Sequence, residues 1–462
     1  MNYVFMAILL ATALAAIEGT IVATAIPSIT ADLDGVELIS WIYSAYLLTS
    51  AIAAILFGKL ADLFGRKKMI IIGITLFAVG SLLCGLSQNM TMLIIFRAIQ
   101  GIGAGSILPI TLTMVSELFD TEKGRAQGQS YISMVWGVAG VIGPLIGGFL
   151  IDVLTWHYIF LLNVPFAIGS VYFIARYYDE QRTVTKHKID YAGAALFATG
   201  TFALMYAIIT GSNTGSWWTQ QQVLCYVAVL VCFVAFIAVE LRVSEPLIPL
   251  QLFKNRRLMT INTLSFCTMA IVIGMSAYVP LYAQTVLGKN ATVAGLMLTP
   301  LSLMWTLGAM GIGLFIGKMA NKYFIVSGTV FLMLGTVMMA QLTNETSVLF
   351  IVCATAFTGL GMGCIAPLLI ITLQKTVAKE HVGLATGLNS FTNTFSQSLG
   401  AAIYGVIFNV IAVASVSASQ SASATSPAMF ATGIQAVYIG TVVFAVIAFI
   451  LALTIKKDPV NT

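Results

Sequence analysis

Hydrophobic positions in this chain run on unbroken instead of alternating with polar ones, and the runs recur from one end to the other. They cover residues 4–27, 39–60, 69–87, 91–116, 130–153, 158–177, 191–211, 220–241, 260–287, 293–317, 324–342, 347–372, 385–412 and 431–455. Each is long enough to cross about 30 Å of hydrocarbon as a helix. The pattern predicts fourteen membrane-spanning helices and excludes a water-soluble enzyme on a single anchor. The first run begins near the N-terminus with small residues, as a signal peptide would. It lacks a basic leading region and continues to full span length, so it reads as the first helix.

Polar positions between the runs are asymmetric. Of the 22 Lys and Arg, only Arg97, inside a run, and Lys289 depart from one rule. The others fall in alternate connections, such as Arg66-Lys67-Lys68 and Arg256-Arg257, or after the last run. The positive-inside rule makes that side cytoplasmic, and an even number of spans puts both termini there. Composition agrees: the 462 residues are 59% hydrophobic and 8% charged, against about 25% charged in soluble domains. The net charge of +5 follows from the same loop bias and implies no nucleic-acid partner. All six cysteines lie inside runs without CxxC spacing and read as packing residues, with no metal or cofactor expected.

An internal repeat organises the runs. Gly101-Ile-Gly103-Ala-Gly105-Ser-Ile-Leu-Pro109 is answered by Gly359-Leu-Gly361-Met-Gly363-Cys-Ile-Ala-Pro367, displaced by 258 residues. Gly58-Lys-Leu-Ala-Asp62 is answered by Gly317-Lys-Met-Ala-Asn321, and Gly124-Arg-Ala-Gln-Gly128 by Gly383-Leu-Ala-Thr-Gly387, each displaced by 259. Three matches at nearly one displacement indicate a duplicated unit. The expected organisation is a six-helix half at 1–180, two inserted helices with cytoplasmic linkers at 181–257, and a second six-helix half at 258–462. Parallel halves of this kind are a transporter plan with the substrate site at the bilayer midplane. Ser415–Pro427, rich in serine and uncharged, reads as a mobile outer loop.

The halves differ in charge. Glu18 is the only ionisable residue in its run, and a carboxylate at that depth costs roughly 2.5–3.5 kcal/mol on insertion scales. At the repeat displacement Glu18 corresponds to Ser276, Arg97 to Thr355 and Asp62 to Asn321. Charge chemistry therefore concentrates in the first half. A guanidinium does not deprotonate, and counting residues at 1.5 Å each places Arg97 and Glu18 at similar depths. The pair reads as a proton switch, with Glu18 paired in one state and protonated in another. A permanent salt bridge, or a carboxylate satisfied by hydroxyls such as Thr20, is the alternative.

Two further segments suggest conformational roles. Gly58 and Gly65 permit a tight crossing between helices, Asp62 is suited to cap a helix, and Arg66 to bind Glu117 or Asp120 as a cytoplasmic latch. In the fifth run, Gly137, Gly140, Gly143 and Gly147 form a bare helix stripe, and Pro144 permits a bend. The stripe reads as a packing surface or a closure seam.

These segments resemble the motifs of one family. The loop after the second run resembles GxLaDrxGrkxxl of the major facilitator superfamily, and Gly140–Gly148 resembles its antiporter motif gxxxGPxxGG. Ile17–Pro27 resembles LDxTivNvAlP, Phe96–Gly101 the arginine motif, and Trp156–Pro165 the WRWiFliNvP motif of the 14-span drug:proton antiporters. The resemblance covers nearly the whole chain. It implies an all-α integral membrane protein in which Glu18 carries protons, Arg97 assists and the glycine motifs govern conformational change. Three positions depart from it: Glu18 stands for Asp, Leu63 for a basic residue and His157 for Arg.

Substrate contacts are expected from the second half: Met275, Tyr278, Tyr282, Trp305, Asn389, Asn393, Ser396 and Gln397, with Glu18 as an acid for cations. Aromatic rings and methionine suit flat lipophilic cations. The resulting expectation is a proton-coupled multidrug exporter of a bacterial plasma membrane, driven by the proton gradient without a cofactor. Its partners are lipid, protons and lipophilic, cationic small molecules. The alternative is a dedicated exporter of one solute or lipid-like compound on the same scaffold. No GxxxxGK[ST] loop is present and Gly313–Met319 has the wrong spacing, so an ATP-driven pump is not expected.

Overall fold

The structure is a computed structural model that describes residues 3–119, 122–180, 190–214, 216–243, 246, 255–313, 320–343, 345–377, 382–418 and 427–455. The side chains of Asp62 and Glu117, all of Asp120, and the segment 314–319 with Gly317 and Lys318 lie outside this description. Among the described residues, fourteen helices are long and apolar enough to cross a membrane. They are α1 (Tyr3–Leu33), α2 (Ile39–Phe64), α3 (Arg66–Cys84), α4 (Met90–Leu118), α5 (Glu122–Val153), α6 (His157–Tyr177) and α7 (Tyr191–Thr214). The remainder are α8 (Gln220–Glu240), α9 (Arg256–Thr285), α10 (Ala291–Gly313), α11 (Asn321–Ala340), α12 (Val348–Thr376), α13 (Val382–Ala418) and α14 (Pro427–Thr454). Each matches one hydrophobic run. Residues 415–418, expected in a loop, continue α13 as helix; 419–426 lie outside the described residues.

Contacts divide the chain into two compact units, Met1–Leu204 with Tyr226–Ile248, and Met205–Cys225 with Pro249–Thr462. Helices α7 and α8 are thus apportioned between the units. In the first unit α4 packs against both α2 and α3, α1 against α5 and α6, and α3 against α6. In the second unit α12 packs against α10 and α11, α9 against α13 and α14, and α11 against α14. The packing scheme repeats with the sequence.

The repeated glycines explain why. A β-carbon on Gly101 or Gly105 would strike the α2 backbone at Tyr46 and Ser50, and one on Gly103 would strike α3 at Phe77. In the second unit Gly359 and Gly363 meet α10 at Leu301 and Trp305, and Gly361 meets α11 at Gly328 and Leu332. Alternate glycines on one helix therefore admit a neighbour on each side at backbone distance, as small residues do in membrane helix packing. Ile70, Ile74, Phe77, Ile107 and Met114 fill the space beside this contact in the first unit and are fully buried.

Both ends of this bundle are tied by polar contacts. At one, the Trp156 indole N–H donates to Asp32 Oδ2 at 2.9 Å, and His157 stacks on Trp156 with ring centroids 3.7 Å apart. At the other, Gly65 joins α2 to α3 at φ +96°, a left-handed conformation that favours glycine. The amide N–H groups of Arg66 and Lys67 then donate to the two carboxylate oxygens of Glu180, which follows α6. A carboxylate at a helix N-terminus satisfies unpaired donors and complements the helix dipole. Beside it, burial and the Glu180 charge push the Tyr178 hydroxyl up to about 12, against the Arg66 guanidinium.

Two stability measurements test this packing. Gly103→Ala should cost about 1–3 kcal/mol through overpacking and lower the thermal midpoint of the detergent-purified protein. Gly58→Ala, whose added β-carbon meets nothing within 4 Å, should leave it unchanged. At the α2–α3 turn, Glu180→Gln should cost about 1 kcal/mol and speed hydrogen exchange at the Arg66 and Lys67 amides. Gly65→Ala should cost more, since it adds backbone strain to a collision with the Glu180 carboxylate. Wild-type exchange in Glu180→Gln would contradict the capping role.

Candidate functional site

Glu18 and Arg97 form an ion pair inside the first unit, Arg97 Nη1 donating to Glu18 Oε1. Each residue is 1% exposed. A charge pair this deep is tolerated only when its remaining hydrogen-bonding capacity is met; α2, α4 and α6 meet it, and with α1 and α3 the network draws on five helices. From α4, Gln100 Oε1 accepts from Arg97 Nη1 at 2.7 Å. From α2, the Ile42 carbonyl accepts from Arg97 Nε at 3.2 Å, and the Tyr46 ring lies 4.0 Å beneath the guanidinium carbon. From α6, Asn163 Nδ2 donates to Glu18 Oε2 at 2.6 Å.

Ser81 of α3 closes the network. Its hydroxyl accepts from Gln100 Nε2 and from Asn163 Nδ2, both at 3.0 Å, and donates to the Phe160 carbonyl at 2.9 Å. Ser81, Gln100 and Asn163 are all buried. The local fold delivers Asn163 through a break in α6 at Leu162, which separates His157–Leu161 from Asn163–Tyr177. Pro165 lies in the first turn of the second piece, where a missing N–H is tolerated, and it cannot donate to Leu161.

The sixth helix bears on the same segment of α1. Gly143 and Gly147 of α5 pack against Ile17, Thr20, Ile21 and Thr24, and Thr20 Oγ1 donates across to the Ala139 carbonyl at 3.3 Å. Gly140 and Pro144 are buried on the same helix. The glycine stripe of α5 therefore abuts the turns of α1 that flank Glu18. Thr20 bonds carbonyls of α1 and α5, so the carboxylate is satisfied by Arg97 and Asn163.

At the repeat-related positions the second unit keeps the bridge and loses the charge. Thr355 Oγ1 donates to the Met297 carbonyl of α10 at 3.0 Å, as Arg97 Nε does to Ile42 of α2. Of the residues expected to contact substrate, Met275 and Tyr282 are fully buried and Tyr278 is 4% exposed. Tyr278 packs on the rings of Tyr404 and Phe408 of α13, and the Tyr282 hydroxyl donates to the Thr343 carbonyl. This aromatic stripe is interior packing of the second unit. Asn389 is also buried, donating to Asn262 at 3.0 Å and Ser265 at 2.9 Å; Ser396 donates to the Phe266 carbonyl. Trp305, Asn393 and Gln397 remain partly exposed.

Sequence reasoning paired Glu18 with Arg97 and assigned no role to Ser81, Gln100, Asn163 or Glu180. Two of these carried a signal. Gln100 shares a helix face with Arg97 at i,i+3, and Asn163 is an amide inside an apolar run. Ser81 and Glu180 carried none. Among the described residues no three His, Cys, Asp or Glu gather as metal ligands.

Known proteins place this arrangement. Residues 8–401 match the model of the Major Facilitator Superfamily. Multidrug resistance protein 3 of Bacillus subtilis is 34% identical over 390 residues, 84% of this chain and 76% of the relative. Multidrug transporter protein MdtP of the same organism is 35% identical over 384 residues, 83% and 71% of the two chains. The multidrug efflux pump SdrM of Staphylococcus aureus is 33% identical over 305 residues, 65% and 66%. In fold, a bacterial homologue of the human lysosomal transporter Spinster superposes with a TM-score of 0.70 at 15% identity, covering 97% of this chain and 95% of that one. With fourteen apolar helices, a duplicated packing scheme and a family match across most of its length, the chain belongs to the Major Facilitator Superfamily of membrane transporters.

Proposed function

We propose that this protein is a multidrug exporter that exchanges protons for lipophilic, cationic small molecules by alternating access, with Glu18 as the proton carrier. The observation that carries the reading is the buried Glu18–Arg97 pair, whose repeat counterparts Ser276 and Thr355 are neutral. Relatives named as multidrug transporters and efflux pumps support the export of drugs. The loop charges support cytoplasmic termini.

The pair suits a proton switch on energetic grounds. Removing one partner of a buried ion pair costs about 3–5 kcal/mol. Neutralising Glu18 by a proton would do this reversibly, leaving Arg97 with Gln100 and the Ile42 carbonyl. A bias of that size moves a two-state equilibrium by roughly 10²–10³-fold or more. In the proposed cycle Glu18 takes a proton from the outer side and releases it on the cytoplasmic side, and substrate occupies the alternate state. The conformational work falls to Gly58, Asp62, Gly65, Arg66 and Glu117 at the cytoplasmic turn and to the α5 glycines with Pro144. On the substrate side, the candidates are Glu18 and, in the second unit, Met275, Tyr278, Tyr282, Trp305, Asn389, Asn393 and Gln397, of which Trp305, Asn393 and Gln397 are partly exposed in this structure.

Reconstituted protein tests each step. An inward proton gradient should drive ethidium movement together with acidification of the vesicle lumen, both followed by fluorescence. Glu18→Gln should abolish coupled proton entry, and Glu18→Asp should retain it at a reduced rate, being one methylene shorter. Arg97→Lys should lose at least tenfold, because a point charge cannot serve Glu18, Gln100 and Ile42 together. Full-rate proton-driven transport by Glu18→Gln would sink the carrier role, and ethidium movement without proton entry would remove antiport.

A further inference from the structure

We infer that Asn163 is a positioning residue that reads the protonation state of Glu18, its amide turning over when the carboxylate takes up a proton. This rests on Glu18 being the proton carrier, and it concerns atoms that the carrier role alone leaves undefined.

Donors and acceptors around Glu18 fix the orientation of the Asn163 amide. An ionised carboxylate only accepts, and the Asn163 amide is turned to suit it: Nδ2 donates to Glu18 Oε2 at 2.6 Å and to Ser81 Oγ at 3.0 Å. Both Nδ2 protons are spent on these two acceptors. Glu18 Oε1 faces Arg97, whose guanidinium can only donate. A proton arriving on Glu18 is therefore carried on Oε2, where it meets the N–H of Asn163. Two donors then face each other in a buried site, a costly arrangement.

A half-turn of the amide about the Cβ–Cγ bond relieves it. Oδ1 then accepts from Glu18 Oε2–H. The same oxygen faces Ser81, whose hydroxyl can swing its proton from the Phe160 carbonyl to Asn163 Oδ1 while Oγ still accepts from Gln100 Nε2. The contacts of Asn163 with Glu18 and Ser81 are then matched donor to acceptor, and the Phe160 carbonyl gives up its bond from Ser81. The proton bound by α1 is thereby registered as a changed bond at the Phe160 carbonyl, which belongs to the short helical piece before the break in α6. Glutamine or a charged residue in place of Asn163 would not serve alike: the first is a methylene longer, the second cannot exchange donor for acceptor.

The deciding variant is Asn163→Leu, which keeps a similar volume and removes both hydrogen-bonding groups; Asn163→Ser restores one group that can donate or accept. Ethidium exchange is measured in proteoliposomes at equal pH on both sides, across a pH series, beside Glu18→Gln. Because Asn163 stabilises the ionised form by a charge-assisted hydrogen bond, its loss should move the pH midpoint of exchange upward by about one unit. Asn163→Ser should fall between Asn163→Leu and wild type. Infrared difference spectra across the pH step should show a protonated carboxyl C=O band, absent in Glu18→Gln and displaced in Asn163→Leu. A wild-type midpoint and an undisplaced band in Asn163→Leu overturn the inference while leaving Glu18 as carrier. If Asn163→Leu does not fold, Asn163→Ser alone decides, and a wild-type midpoint there overturns it equally. A pH-independent wild type, or a Glu18→Gln variant with the wild-type pH profile, refutes the carrier reading instead.

Discussion

A guanidinium that cannot shed its charge, sealed among helices, sets the terms for the whole first unit. Arg97 is 1% exposed, and an isolated charge at that depth is too costly to keep. Its neutralisation requires Glu18 from α1, and the two together require acceptors and donors that their own helices cannot supply. Ile42, Ser81, Phe160 and Asn163 supply them from three further helices, beside Gln100 on α4 itself. The close glycine contacts of α4 with α2 and α3 make such convergence possible, because only helices at backbone distance bring short side chains like Ser81 within reach.

Duplication copied the mechanical layer and not the electrical one. Gly101, Gly103 and Gly105 and their counterparts Gly359, Gly361 and Gly363 set the same helix between the same two neighbours. Thr355 even reproduces the reach of Arg97 to a carbonyl two helices back in the chain. The position that answers Arg97 is the neutral Thr355, and polar side chains of the second unit pair locally, as Asn389 does with Asn262 and Ser265. Freed of an obligatory network, that unit can vary its partly exposed positions with fewer internal consequences.

The spans, the repeat and the Glu18–Arg97 pairing were legible because each rests on a one-dimensional quantity: run length, residue displacement, and depth at a fixed rise per residue. The partners were harder to read because they depend on which faces of several helices meet. Gln100 and Asn163 are amides in apolar runs, a signal present in the sequence that by itself assigns no partner. Ser81 is indistinguishable in sequence from a serine tolerated for its size, and Glu180 sits in a charged stretch where any acid would pass for a solvated one. The Tyr278–Tyr282 stripe is a different case. Its i,i+4 spacing defined a face correctly, but spacing is silent on whether a face meets open space or another helix. Here it meets Tyr404, Phe408 and the Thr343 carbonyl. The α13 extension to Ala418 was missed because a serine-rich composition was read as loop.

The acceptor for the α3 amides, Glu180, lies on the last residue before the insertion that separates the duplicated halves. A chain shortened to twelve spans could be rejoined anywhere after that residue without uncapping the turn at Gly65. The contact of Trp41 with Phe202 would be given up; the capped turn would not. A single carboxylate thus closes the turn between α2 and α3, and a shortened chain that keeps Glu180 inherits a closed turn.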